Sequence, residues 1–143
     1  MANKFKQHYL SLAIQAAHLR KLFPESEVYV RSNQLRWLGE LRPTAFSKCY
    51  QVSINYSLET RPKVRVVNPK LQLPPSLSSV HMFADETLCL YLPRSWNGSM
   101  ILAETVVPWT SEWLLHYEVW QVTGKWCGGG VHPHTKTPST DAA

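Results

Sequence analysis

The sequence predicts an α+β domain: an N-terminal helix, a four-stranded antiparallel meander, a loop centred on a cysteine and a C-terminal helix. Three patterns predict it. Apolar residues near the N-terminus step at helical spacing, four short segments in the middle alternate at period two, and aromatic residues near the C-terminus return at helical spacing.

Phe5, Tyr9, Leu12, Ala16, Leu19 and Phe23 share one helical face, with Asn3 as N-cap and Pro24 as the stop, so the first helix is expected from about Lys4 to Leu22. Ala13 and Ala17 beside this stripe would let the helix lie close to the sheet it covers. Glu27 to Arg31 forms a first short strand, and Leu35, Trp37, Gly39 and Leu41 mark a second. Tyr50, Val52, Ile54, Tyr56 and Leu58 alternate with Gln51, Ser53, Asn55 and Ser57, the signature of a strand with one buried face. Lys63 to Val67 makes the fourth, and the short connections favour antiparallel neighbours. From Asn68-Pro69 to Ser79 the prolines and serines predict irregular structure, and the stretch from His81 to Trp96 carries no sustained period. Pro108 suits the first turn of a last helix that carries Trp109, Trp113, Tyr117 and Trp120 and stops at Gly124. A short helical piece between Ile101 and Val107 is compatible with the sequence, although Thr105, Val106 and Val107 oppose it. Residues 1–127 therefore read as one domain and 128–143, with Gly128-Gly129-Gly130, Pro133 and Pro138, as a mobile tail.

A chain of 143 residues can bury its own core without metal or disulfide. No apolar run approaches the roughly 18 residues of a membrane span, and the N-terminus lacks a signal peptide's apolar core, which predicts a soluble cytoplasmic protein. Three dispersed cysteines, at 49, 89 and 127, make no disulfide framework. The net charge of +5 comes from scattered residues with no basic run, which speaks against nucleic acid and leaves an acidic protein partner as a second reading of the charge.

Cys89 lies between Leu88 and Leu90, with His81 eight residues before it and Trp96 seven after. This segment resembles the active-site region of ubiquitin-conjugating enzymes, where a His-Pro-Asn signature precedes a Cys-Leu and a Trp follows. Arg61-Pro62-Lys63-Val64 is similar to that family's Pro-Pro-Lys-Val before its fourth strand, and the order of elements from about Lys4 to Trp126 is similar to the ubiquitin-conjugating (UBC) fold. The divergence points to the compact bacterial members of CBASS anti-phage operons. Ser79, Val80 and His81 stand in the His-Pro-Asn positions, Tyr91 replaces the acid two residues after the cysteine, and Trp96 falls one residue early.

The resemblance implies that Cys89 accepts the C-terminal carboxyl of a protein partner, a cGAS-like nucleotidyltransferase or a ubiquitin-like protein, as a thioester. The acyl group then passes to an amine such as a lysine of an acceptor protein, or to water in an editing step. No cofactor is expected, because adenylation elsewhere supplies the energy and the chain has no phosphate-cradling G-x-x-x-x-G-K-[ST] motif. Such a carrier needs an exposed thiol and a donor for the oxyanion. Cys89 on a loop meets the first need. His81 is the candidate for the second: its ring could donate N–H, could favour the thiolate when charged, or could serve only as a structural hydrogen-bonder. Asp85 and Glu86 could orient or deprotonate a lysine, whose pKa of about 10.4 keeps it protonated at neutral pH; two solvated carboxylates are the plainer reading. Cys49 reads as a packing residue beside the third strand. Cys127, His132 and His134 form a Cys-x4-His-x-His cluster beside three glycines, too short to argue for a metal. A Cys-His protease is the enzymatic rival, although neither a helix N-terminal cysteine nor a distant histidine is evident. An inactive partner-binding module is the other, and the retained cysteine speaks against it.

Overall fold

The computed structural model describes residues 8–128. Helix α1 spans Leu12–Leu22, strands β1 to β4 span Glu27–Arg31, Gln34–Leu41, Tyr50–Tyr56 and Lys63–Asn68, and helix α2 spans Val106–Thr123. Short 3-10 turns at Leu77–Val80 and Leu102–Glu104 punctuate the long connection between β4 and α2. The predicted α+β layout is therefore present: helix, antiparallel sheet, irregular stretch, helix.

The first helix starts later than its apolar stripe suggests. Residues 8–11 are not helical, and Ser11 is the N-cap, its hydroxyl accepting from the Ile14 N–H at 3.1 Å. Phe5 and Asn3 lie outside the described residues. The stripe's Tyr9 belongs instead to an extended lead-in, anchored where the Leu10 N–H donates to the Gly98 carbonyl at 2.9 Å. A side chain at position 98 would crowd the Tyr9 ring, so glycine permits that approach. Leu12, Ala16 and Leu19 are buried as expected, whereas Ala13 and Ala17 face solvent and Gln15 takes a core position.

The sheet runs in the order β1-β2-β3-β4 with every pair antiparallel. Trp37 pairs with Ile54 and Leu35 with Tyr56, so the residues that alternate in sequence converge on one face. That face is the core, where Trp37, Val52, Ile54 and Val64 are almost fully enclosed. Helix α1 packs against β1 and β2, as a meander with one apolar face requires. Strand β3 ends at Tyr56, two residues before the end of its apolar pattern, because Ser57 to Thr60 closes a turn with the Thr60 N–H on the Ser57 carbonyl.

Helix α2 begins at Val106 despite its β-branched start, and Pro108 falls in its first turn. Gly124 ends it in the left-handed region at φ 77°, its N–H donating to Trp120. Trp113 and Tyr117 are buried, and Glu118 accepts from both the Ser47 hydroxyl and the Tyr50 hydroxyl at 2.7 Å, tying the helix to the start of β3. Among the described residues, no helix is long and apolar enough to cross a membrane.

Candidate functional site

The cysteine loop is built from backbone outward. The turn at Leu77–Val80 ends on His81, which takes a left-handed conformation with φ 55°. From there the chain folds into a small hairpin: Met82 bridges Leu88, the Phe83 N–H donates to the Thr87 carbonyl, and the Glu86 N–H donates to the Phe83 carbonyl. Asp85 closes the tip by accepting from the Thr87 N–H at 3.0 Å and the Thr87 hydroxyl at 2.6 Å. Regions flanking the hairpin are anchored to the core. The Leu88 N–H donates to the Val64 carbonyl of β4, and the Trp113 indole N–H lies 3.1 Å from the Val80 carbonyl and 3.2 Å from that of His81.

Cys89 follows directly. Its N–H donates to the His81 carbonyl at 2.9 Å, so the two candidate residues are brought together through the backbone. Leu88 and Leu90 are buried on either side, and this pair of anchors fixes the short extended segment on which the thiol sits. The thiol is half-buried, not fully exposed as a loop position suggests. It lines a cavity of about 320 Å³ with Arg61, Pro62, Phe83, Tyr91, Leu92 and Pro93. Burial pushes the thiol above its ordinary pKa, while the Arg61 charge and the Tyr91 N–H act in the opposite sense.

The His81 ring stacks on Trp126 with centroids 5.4 Å apart, and His81 is not among the described residues lining the cavity. Asp85 is committed elsewhere. The Thr87 donors first, and then the Lys63 ammonium 3.5 Å away, hold its carboxyl near pKa 2, which makes it a poor base. Glu86 is exposed with φ 67°. Neither carboxylate lines the cavity with Cys89.

Tyr91 and Tyr56 also line a neighbouring cavity of about 270 Å³, together with Arg61 and Trp96. Both tyrosine hydroxyls are buried with no hydrogen-bond partner among the described residues, and burial pushes the Tyr91 hydroxyl up to about 12, so it stays neutral. A larger cavity of about 590 Å³ lies between the end of α1 and β2, lined by Phe23, Ser26, Trp37 and Gln51, and its described lining holds no cysteine or histidine.

The family question is settled by comparison. A family model described as Type II CBASS E2 protein matches residues 15–133, most of the chain. The chain belongs to the Type II CBASS E2 family. A comparison with curated proteins returns no match. For this E2-CBASS protein, membership supports the CBASS setting expected from the cysteine region, with an E2-like role.

The remaining thiols differ from Cys89. Cys49 is exposed, which corrects its reading as a packing residue: it precedes β3, and the side chain of neighbouring Tyr50 takes the buried position. Cys127 is exposed as well, and His132 and His134 lie outside the described residues. The sequence reading missed Phe83 and saw Arg61 only within Arg61-Pro62-Lys63-Val64. That motif was the available signal, since it places a cation immediately before the strand that carries the Leu88 anchor.

Proposed function

We propose that this E2-CBASS protein is a cysteine-dependent acyl transferase with a UBC-like fold, and that Cys89 is its acyl carrier. The observation that carries the reading is what lines the cavity of the half-buried thiol. Cys89 sits in a largely apolar cavity whose described lining holds no carboxylate and no imidazole, so nothing there activates water against a bound acyl group. A protease would need such a base beside its sulfur.

The donor is the C-terminal carboxyl of the system's cGAS-like nucleotidyltransferase, supplied as an acyl adenylate. The Cys89 thiolate attacks the carbonyl carbon, a C–S bond forms, and the C–O bond to the phosphate breaks with AMP leaving. An amine, for example a lysine of an acceptor protein, then attacks the thioester carbon; the C–S bond breaks, the thiolate leaves, and the nitrogen loses a proton to solvent. His81 holds the Cys89 amide through its carbonyl, and donation from its ring to the oxyanion requires that ring to turn from Trp126.

Size-exclusion chromatography of Cys89→Ala with the nucleotidyltransferase from the same operon tests this reading. A stable noncovalent complex without an adduct is expected, and removing the partner's last few residues should preserve docking while abolishing adduct formation by the unmodified protein. Absence of any complex would sink the assigned partner. For His81, discharge of a preformed thioester should slow by about 10²–10³ in His81→Ala, with formation far less affected, if the ring serves the oxyanion.

A further inference from the structure

Arg61 reaches the site from the connection between β3 and β4 and lines both the Cys89 cavity and its neighbour. Its guanidinium carbon lies 4.1 Å from the centroid of the Phe83 ring. A guanidinium seated on an aromatic face is attracted by the ring's electron-rich face and held in place. Because Phe83 belongs to the same hairpin that delivers Cys89, one short segment places both the sulfur and the platform for the cation.

The surrounding charges leave Arg61 to this task. Lys63 pairs with Asp85, and Arg65 donates to the Asp85 carbonyl at 3.4 Å. Glu86 is exposed, and Glu59 lines the neighbouring cavity, with no ion pair to Arg61 among the described residues. His81 meets Cys89 through its backbone while its ring lies on Trp126. Tyr91, the other polar side chain lining the cavity, is neutral. Among the described residues that line the cavity, Arg61 is therefore the only charged one.

We propose that Arg61 is the activating cation of this site: seated on Phe83 at the wall of the Cys89 cavity, it stabilises the negative charge on the sulfur. A half-buried thiolate is penalised by desolvation, and a fixed positive charge facing it in a medium less polar than water offsets that penalty. The Arg61 charge does favour the ionised sulfur, against the effect of burial. A guanidinium suits the role because it stays protonated throughout the working range and its plane stacks on the ring, which an ammonium does less well.

The functional meaning rests on the acyl-carrier reading, but the test needs no donor. The full chain is treated with iodoacetamide across a pH series, and alkylation of each cysteine is followed by peptide mass spectrometry. The thiolate displaces iodide and forms the S–C bond, so the rate reports the ionised fraction. In Arg61→Gln the inflection for Cys89 should move up by about one pH unit, with alkylation at neutral pH slowed roughly tenfold. Cys49 and Cys127 should be unaffected, and Arg61→Lys should restore most of the loss. Phe83→Leu keeps the charge but removes its seat, and should move the inflection in the same direction by less; it serves as the deciding variant if Arg61→Gln fails to fold. An unmoved Cys89 inflection in a folded Arg61→Gln, or in Phe83→Leu should Arg61→Gln not fold, overturns the role of Arg61. A moved inflection in a protein that never forms an adduct contradicts the acyl-carrier reading alone.

Discussion

The sheet and the long connection between β4 and α2 hold their shape by different means. Each strand of the meander finds its partner in the next segment of chain, and in β2 alternation decides which side chains reach the core. The connection has little regular structure, and beside its local turns several of its backbone groups are satisfied from far away in sequence. Gln15, fully buried in α1, donates to the Met100 carbonyl at 2.8 Å and accepts from the Leu102 N–H at 2.9 Å. Trp113 donates to the Val80 and His81 carbonyls, and the Gln72 N–H donates to the Tyr117 hydroxyl. A loop held at many remote points can carry a reactive group with the precision of a strand while presenting a cavity that a strand would fill.

This contrast can be broken by substitution. Trp113→Ala should have the largest effect, about 3–5 kcal/mol of lost stability in urea unfolding, because it removes a fully buried indole and the donor shared by two loop carbonyls. Gln15→Leu should cost about 2–3 kcal/mol, since volume is nearly kept while a part-buried carbonyl and a buried N–H lose their partners. Hydrogen exchange then sharpens the comparison: the Leu102 amide should lose protection while β2 and β3 amides keep theirs. Equal loss in both regions would show that the connection is not a separate unit.

The smallest effect concerns Asp85 at the hairpin tip. Its folded pKa of about 2 lies below the ordinary 3.8, first through the Thr87 hydrogen bonds. A depressed carboxyl contributes stability in full above its unfolded value, and that contribution disappears as pH falls through the folded one. Asp85→Asn should therefore reduce stability slightly above pH ~4 and converge with the unmodified protein near pH ~2. With the side chain substantially exposed, solvent screening keeps the difference small. A constant difference across the series would remove ionisation from the account.

The same contrast explains what the sequence made legible. Strand β1 was readable to the residue, and β2 and β4 nearly so; in β2 the period survives in the burial pattern, whereas β1 is almost wholly exposed. Helix α1 was readable in its buried residues but not in its start, where Ser11 capped the backbone inside an unbroken apolar stripe. Gln15 was passed over because a polar residue within that stripe gives no sign of partners more than eighty positions away. His81 and Glu86 adopt left-handed backbone without being glycine, and that geometry has no local signature. The position of Cys89 on a loop between two leucines was legible in the sequence, whereas the seating of Arg61 on Phe83 exists only once the hairpin has closed.

In the proposed function Cys89 carries the acyl group. This is tested most directly by intact-mass spectrometry of the protein incubated with a C-terminal thioester of the nucleotidyltransferase tail, which donates by thiol exchange without an activating enzyme. One adduct is expected, located at Cys89 and released by excess thiol. That adduct should persist in Cys49→Ala and Cys127→Ala and be absent in Cys89→Ala, with a thiol-resistant ester in Cys89→Ser. An adduct of equal yield in Cys89→Ala would contradict it.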